Sequence, residues 1–158
     1  MPEVAVRELT FAQAVKEALA EEMRRDSRVC ILGEDVAEAG TPFKVLSGLV
    51  EEFGKERVID TPISEAGFTG VGVGAAMTGM RPVVDIMFGD FITLTMDQMV
   101  NQAAKAHYMS GGHWRVPMVV RTQAGAAGGC HQDVGLPGDR GQVGGAGVAD
   151  GDGRVPVE

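Results

Sequence analysis

Two kinds of apolar pattern alternate along the chain. In the first, apolar residues form short continuous runs, which predict buried strands at residues 29–32, 57–60, 82–88 and 116–121. In the second, apolar residues recur every three or four positions, which predicts helices at residues 11–23, 43–53, 67–79 and 90–109. Strands that alternate with helices are typical of a parallel sheet with flanking helices. The pattern therefore predicts the α/β fold class.

Two of the predicted elements have clear local signals at their ends. Thr10 and Gln13 have the spacing of a capping box, which starts the first helix. Glu34 and Asp35 come directly after the first buried run, at the carboxyl end of that strand. Ligands of open α/β sheets bind outside the carboxyl ends of the strands, so these two acids are candidate site residues. They are equally consistent with simple turn formation.

The stretch from residue 58 to residue 79 holds the most informative single acid. Glu65 lies near the predicted start of a helix, and Ser64 is placed to cap that helix through its hydroxyl. The helix carries an unusual set of glycines, at positions 67, 70, 72, 74 and 79. Each interior glycine lowers helix stability by about 1 kcal/mol relative to alanine, so these glycines need an offsetting reason. A close approach of another backbone or a ligand, which only glycine permits, is such a reason. Glu65 is then either a first-turn charge favoured by the helix dipole or a working acid.

Composition narrows the class of protein. The chain has 158 residues, 44% hydrophobic and 23% charged, which is typical of one soluble globular domain. The net charge of -8 argues against nucleic acid and anionic membrane surfaces as partners. Two cysteines do not make a disulfide framework, so a reducing compartment fits. With no leader-like segment at the amino terminus, we expect a cytoplasmic protein that does not span a membrane.

Residues 124–158 differ in kind from the rest. They contain 11 glycines among 35 residues and no aromatic residue. Such a segment buries too little apolar area to offset the entropy of ordering it. We therefore expect one folded domain at residues 1–123 and a disordered, glycine-rich tail at residues 124–158.

Several separated motifs resemble those of one family, in that family's order. The longest is Ile-Asp-Thr-Pro-Ile-Ser-Glu-Ala-Gly-Phe-Thr-Gly at residues 59–70. Others lie at residues 32–36, 79–83, 96–98, 101–105 and 108–112. Together they resemble the beta subunits of 2-oxo acid dehydrogenase E1 components, which are thiamine-diphosphate enzymes. The resemblance covers residues 4–122 and implies an incomplete transketolase-like pyrimidine-binding domain. Because it stops within a glycine run, we expect a truncated or frameshifted reading frame after about residue 124.

The resemblance implies roles for four residues. Glu65 matches the glutamate that bonds to the N1′ ring nitrogen of thiamine diphosphate, where a carboxylic acid in a dry pocket is a competent proton donor. Phe91 matches an aromatic residue that packs against the aminopyrimidine ring. Glu34 and Ile63 match positions near the cofactor. The Mg²⁺ of the cofactor is held by the partner alpha subunit, so the resemblance implies no metal ligand in this chain.

The implied reaction is oxidative decarboxylation of a 2-oxo acid with acyl transfer to a lipoyl group. The implied partners are an E1 alpha subunit, a second beta subunit in a heterotetramer, and a lipoyl-bearing E2 core. Pyruvate, branched-chain 2-oxo acids and acetoin are not distinguished by these motifs, and a potassium site is left open. We expect this chain to be inactive by itself.

Two alternatives of other classes remain open at this point. The chain could be a catalytically inactive fragment that serves only as an interaction module. More remotely, Gly70, Gly72 and Gly74 after an apolar strand could mark a dinucleotide-binding Rossmann domain. That motif places its glycines directly after the strand, whereas here residues 61–69 intervene.

We predict that limited proteolysis cleaves residues 124–158 well before residues 4–122. The reason is the glycine content of the tail and its lack of an apolar period. Mass spectrometry of the early fragments, with amide dispersion measured by NMR, checks this. A tail that resists protease as well as the body does would contradict the expectation of disorder.

Overall fold

A four-stranded parallel sheet forms the centre of the protein. The computed structural model describes residues 7–124 and the two-residue segment 154–155. The strands are β1 Leu9–Thr10, β2 Val29–Gly33, β3 Val58–Asp60, β4 Arg81–Ile86, β5 Val119–Thr122 and β6 Arg154–Val155. The main sheet has the order β3-β2-β4-β5, and β1 pairs with β6 in a separate antiparallel ladder. This sheet confirms the predicted fold class.

The helices flank the main sheet. They are α1 Phe11–Arg25, α2 Leu49–Phe53, α3 Glu65–Met77, a 3₁₀ helix Gly89–Thr95, a π-helix Asp97–Ala103 and α4 Ala104–Met109. The predicted capping box is confirmed at the start of α1. The Thr10 backbone N–H donates to the Gln13 side chain at 2.9 Å, and the Gln13 N–H donates to the Thr10 hydroxyl at 3.2 Å.

Each face of the sheet is covered by a different helix. One face packs under α1, where Ala20 and Met23 join Ile31 and Val83 in the larger core cluster. The other face packs under α3, in a cluster of Leu32, Phe68, Val84 and Ile86. Alternate residues of β2 and β4 therefore point to opposite faces, as the pleat requires.

The strand order creates one topological switch point. From β2 the chain crosses to β3 on one side, whereas from β4 it continues to β5 on the other side. The connections that leave β2 and β4 therefore diverge at the carboxyl ends of two adjacent strands. Ligands of open α/β sheets bind in the crevice at such a point.

Two glycines allow the elements around this crevice to approach closely. A Cβ on Gly33 would lie 2.5 Å from the Asp85 carbonyl oxygen on the neighbouring strand. A Cβ on Gly72 would lie 2.6 Å from Cγ2 of Val84, which is fully buried. Gly72 therefore accounts for part of the helix's glycine content, because it lets α3 settle onto β4. Gly74 has no atom within 4 Å of its would-be Cβ among the described residues.

Three local predictions were wrong. The helix predicted at 43–53 is confined to Leu49–Phe53, because Thr41, Lys44 and Gly48 adopt positive φ and turn the chain. Ser64 makes no side-chain capping bond to α3. The long helix predicted at 90–109 is divided into 3₁₀, π and α segments.

The remaining expectations concern the tail and the membrane. We expected residues 124–158 to be disordered. Of this segment the structure describes only Ala124 and the strand β6, so that expectation lies outside the described residues. Within the described part of the chain, no helix has the length and apolar character needed to cross a bilayer.

Matched substitutions of two glycines test the packing of α3. Gly72→Ala should lower the free energy of unfolding by about 1–3 kcal/mol, because the added methyl group overlaps a stiff, buried valine. Gly74→Ala should raise it by about 0.5–1 kcal/mol, because the space is open and alanine favours helix. Chemical denaturation of both variants checks this. Equal effects of the same sign would contradict the close approach of α3 to β4.

Candidate functional site

Glu34 is a buried acid at the switch point. It directly follows β2 and is only 6% exposed. Its Oε1 atom is buried and has no hydrogen-bond partner among the described residues. The next residue, Asp35, has a φ of +51°, so the chain turns sharply away after the acid. A buried acceptor without a partner is rare in folded proteins and calls for an explanation, of which a bound ligand or an ordered water is one.

Glu65 is the second buried acid, and it comes from a different element. It is the first residue of α3 and is 7% exposed. A carboxylate in the first turn is favoured by the helix dipole and by the free N–H groups there. This position is one reason why the fold tolerates a buried acid here.

The two acids act on each other electrostatically. The pKa of Glu34 is raised above its ordinary value of 4.5, first by burial and then by the negative charges of Glu65 and Asp35. The backbone N–H of Ser64 acts in the opposite direction on the same pKa. The structure thus brings Glu65 close enough to Glu34 to act on its charge. A buried carboxyl group with a raised pKa and an acidic neighbour is suited to hold or donate a proton.

The two predicted apolar site residues are more exposed. Ile63 is 84% exposed and lies two residues before Glu65. Phe91 is 38% exposed, in the segment that follows β4 on the other side of the switch point. Its ring packs edge-on against Phe88 at a centroid distance of 5.7 Å, and Phe88 packs similarly against Phe43 at 5.9 Å. Both residues therefore offer free apolar surface near the carboxyl ends of the strands.

A buried ion pair near the same edge was not recognised from the sequence. Asp85 is buried on β4 and pairs with Arg121 on β5, which lies opposite it in register. Burial raises the pKa of Asp85, while the Arg121 guanidinium acts to lower it. The available signal was an acid within an otherwise apolar strand. Its partner on β5 could be named only once the strand register was known.

The geometry does not support the dinucleotide alternative. Gly70, Gly72 and Gly74 all lie inside α3, after its first turn. A dinucleotide site needs its glycines in the turn between strand and helix, where the backbone meets the pyrophosphate. Within the residues that the structure describes, no group of three or more His, Cys, Asp or Glu side chains is placed to hold a metal ion.

Comparison with known families decides the class of the fold. Residues 7–136 match the family described as transketolase, pyrimidine binding domain. The chain belongs to this family. The family resemblance expected from the motifs is thereby confirmed.

Curated relatives agree with this assignment. The chain is 52% identical over 120 residues to the pyruvate dehydrogenase E1 component subunit beta of Rickettsia bellii, which covers 76% of this chain and 37% of the relative. It is also 52% identical over 119 residues to the same subunit of Rhizobium meliloti, which covers 75% of this chain and 26% of the relative. The 2-oxoisovalerate dehydrogenase subunit beta of Bacillus subtilis is 49% identical over 123 residues, with coverage of 78% and 37%. This pyrimidine-binding domain therefore spans well under half the length of these relatives.

Replacing Glu34 tests its burial through the pH dependence of stability. Because the pKa of Glu34 is raised in the folded state, protonation of Glu34 stabilises the fold. This stabilisation is complete below the unfolded-state pKa and is lost as the pH rises through the folded-state pKa. Glu34→Gln should therefore be more stable than the wild type near pH 8, by about 0.5–2 kcal/mol. The difference should shrink towards pH 4.

Urea unfolding of both proteins across this pH range checks the prediction. Glu38→Gln is the control, because its side chain is 77% exposed and lies on the same loop. A difference between Glu34→Gln and wild type that does not depend on pH would contradict the assigned environment of Glu34.

Proposed function

We propose that this chain is the cofactor-binding part of an E1 beta subunit of a 2-oxo acid dehydrogenase complex. In this proposal it takes part in thiamine-diphosphate-dependent oxidative decarboxylation of a 2-oxo acid, with acyl transfer to a lipoyl group. The observation that carries the proposal is the meeting of Glu34 and Glu65, both buried, at the switch point of a pyrimidine-binding domain.

The residues at this edge fit the aminopyrimidine half of thiamine diphosphate. That ring system needs a carboxyl group for its ring nitrogen, an apolar or aromatic surface for its face, and shelter from water. Glu65 supplies the carboxyl group, and Ile63 and Phe91 supply exposed apolar surface. The unpartnered Oε1 of Glu34 provides a further acceptor nearby.

The proposed roles divide between cofactor and protein. When bound, thiamine diphosphate supplies the carbon nucleophile for decarboxylation of the 2-oxo acid. In this proposal the Glu65 carboxyl group hydrogen-bonds the N1′ ring nitrogen, the role implied by its position in the family motif, and its burial keeps that bond away from water. Glu34 adds negative charge beside Glu65, and the apolar residues keep water from the ring.

We also propose the partners that the family resemblance implies: an alpha subunit, a second beta subunit in a heterotetramer, and a lipoyl-bearing E2 core. The relatives are named as beta subunits, which supports a multi-subunit complex. The Mg²⁺ that accompanies the diphosphate is assigned to the alpha subunit. The proposed compartment is the cytoplasm. The relatives are named for pyruvate and for 2-oxoisovalerate, so the proposed substrate is a 2-oxo acid as a class.

Glu65→Gln tests the proposed role of the acid. The assay uses an assembly with an alpha subunit, in which the chain is joined to the remaining length of the Bacillus subtilis relative. We expect decarboxylation to fall by at least about a hundredfold, because an amide of the same size does not replace the acid in proton transfer. Assembly, measured by size-exclusion chromatography, should be unchanged.

Glu51→Gln is the matched control for this experiment. Glu51 is also an acid in the first turn of a helix, in α2, but it is exposed and remote from the switch point. Near-normal turnover of Glu65→Gln would contradict the proposal. An equal loss in Glu51→Gln would show that the assay reports helix stability and not chemistry.

A further inference from the structure

Both carboxylate oxygens of Asp60 bind the backbone of the loop that follows Glu34. The N–H of Ala37 donates to Oδ1 at 2.7 Å, and the N–H of Glu38 donates to Oδ2 at 3.3 Å. Asp60 is the last residue of β3 and lies opposite Gly33 in the sheet register. The N–H of Thr61 also donates to the Gly33 carbonyl at 2.9 Å. The end of β3 is therefore tied to both sides of Glu34.

The loop is conformationally demanding. Asp35 and Thr41 adopt positive φ of 51° and 68°, which side chains other than glycine rarely do. The Thr41 N–H donates to the Asp35 carbonyl at 2.8 Å, which closes the loop on itself. Val36 is buried in the core cluster under α1. Between Val36 and Thr41, two side chains hold the loop backbone. Asp60 accepts from the N–H groups of Ala37 and Glu38, and the Lys44 ammonium group donates to the Ala39 carbonyl at 2.9 Å.

An aspartate is well suited to this place. Its short side chain presents two acceptors that match two successive backbone N–H groups, and a charged acceptor makes the stronger kind of hydrogen bond. Among the described residues, Asp60 takes part in none of the salt bridges to Lys or Arg. The side-chain hydrogen bonds that Asp60 makes with described residues go to this loop.

We propose that Asp60 is a positioning residue that fixes the loop after β2 and thereby holds the carboxyl group of Glu34 beside Glu65. Only the part of this proposal that concerns the cofactor rests on the proposed function, in which Glu34 lies beside thiamine diphosphate. The placement of Glu34 by Asp60 concerns this chain alone. The two parts are therefore tested separately.

The first test measures the titration of Glu34 in the full chain by ¹³C NMR of labelled glutamate carboxyl groups, with the signal assigned from Glu34→Gln. The charged groups that act on Glu34 are Glu65 from α3 and Asp35 from its own loop. In Asp60→Ala the loop loses both bonds and the Glu34 carboxyl group becomes more hydrated. Its titration midpoint should then fall towards the ordinary value, which a general loss of stability in a still-folded chain would not cause.

Asp60→Asn separates positioning from charge. The amide keeps an oxygen for the shorter bond to Ala37 but removes the negative charge. We expect Asp60→Asn to keep the raised midpoint of Glu34. Glu38→Gln makes the same change of charge on the same loop without removing a backbone bond, and it should also leave the midpoint unchanged.

Two outcomes overturn the proposal. One is a wild-type midpoint in Asp60→Ala. The other is an equal fall in Asp60→Ala and Asp60→Asn, which would show an effect of charge alone. Should Asp60→Ala fail to fold, Asp60→Glu replaces it. That variant keeps the charge but displaces the carboxylate by one methylene group, so an unchanged Glu34 midpoint would overturn the proposal.

The second test measures binding of thiamine diphosphate in the E1 assembly. Asp60→Ala should weaken binding about tenfold, as expected for the loss of charged hydrogen bonds that position a ligand group, and Asp60→Asn should restore most of it. No binding in the wild-type assembly would contradict the proposed function and leave the NMR test of Asp60 intact. Wild-type binding with unchanged affinity in Asp60→Ala would contradict the part of the proposal that concerns the cofactor.

Discussion

The site depends on the burial of two carboxyl groups at one edge of a sheet. Glu34 and Glu65 come from different elements, are each less than a tenth exposed, and act on each other. A buried carboxylate without a partner costs several kcal/mol, so a fold keeps buried acids only where the surroundings compensate. Here one acid lies at a helix amino terminus and the other directly after a strand. This is the cost in stability that functional sites commonly carry.

The rest of the fold serves this arrangement. The strand order puts the switch point beside β2 and β4, so that Glu34 and the segment carrying Phe91 lie on neighbouring strand ends. Gly33 and Gly72 let β2, β4 and α3 approach more closely than any side chain would allow. Asp60 then ties β3 to the loop that follows Glu34. Close packing and backbone hydrogen bonds thus set where the two acids meet.

What the sequence predicted well was local. The capping box at Thr10 and Gln13 and the buried run that became β2 depend on near neighbours in the chain, and both are present. The helix predicted at 43–53 was too long, because positive φ at Thr41 and Lys44 leaves no mark in an apolar pattern. The division of the helix predicted at 90–109 also escaped prediction, since its apolar spacing suits several helical forms. Asp85 and Arg121, and Asp60 with its loop, are pairs set by strand register, which only the folded chain reveals. Glu34 and Glu65 were candidates from their places at a strand end and a helix start, family resemblance gave them their roles, and their proximity became visible only in three dimensions.

The most direct test of the account is a crystal structure of the E1 assembly containing this chain, an alpha subunit and thiamine diphosphate. We predict a Glu65 carboxyl oxygen within hydrogen-bond distance, about 2.6–3.2 Å, of the N1′ ring nitrogen. Glu34 should lie beside Glu65 at the same end of the sheet. An aminopyrimidine ring bound elsewhere, or one that meets the switch point without contact to Glu65, would contradict it.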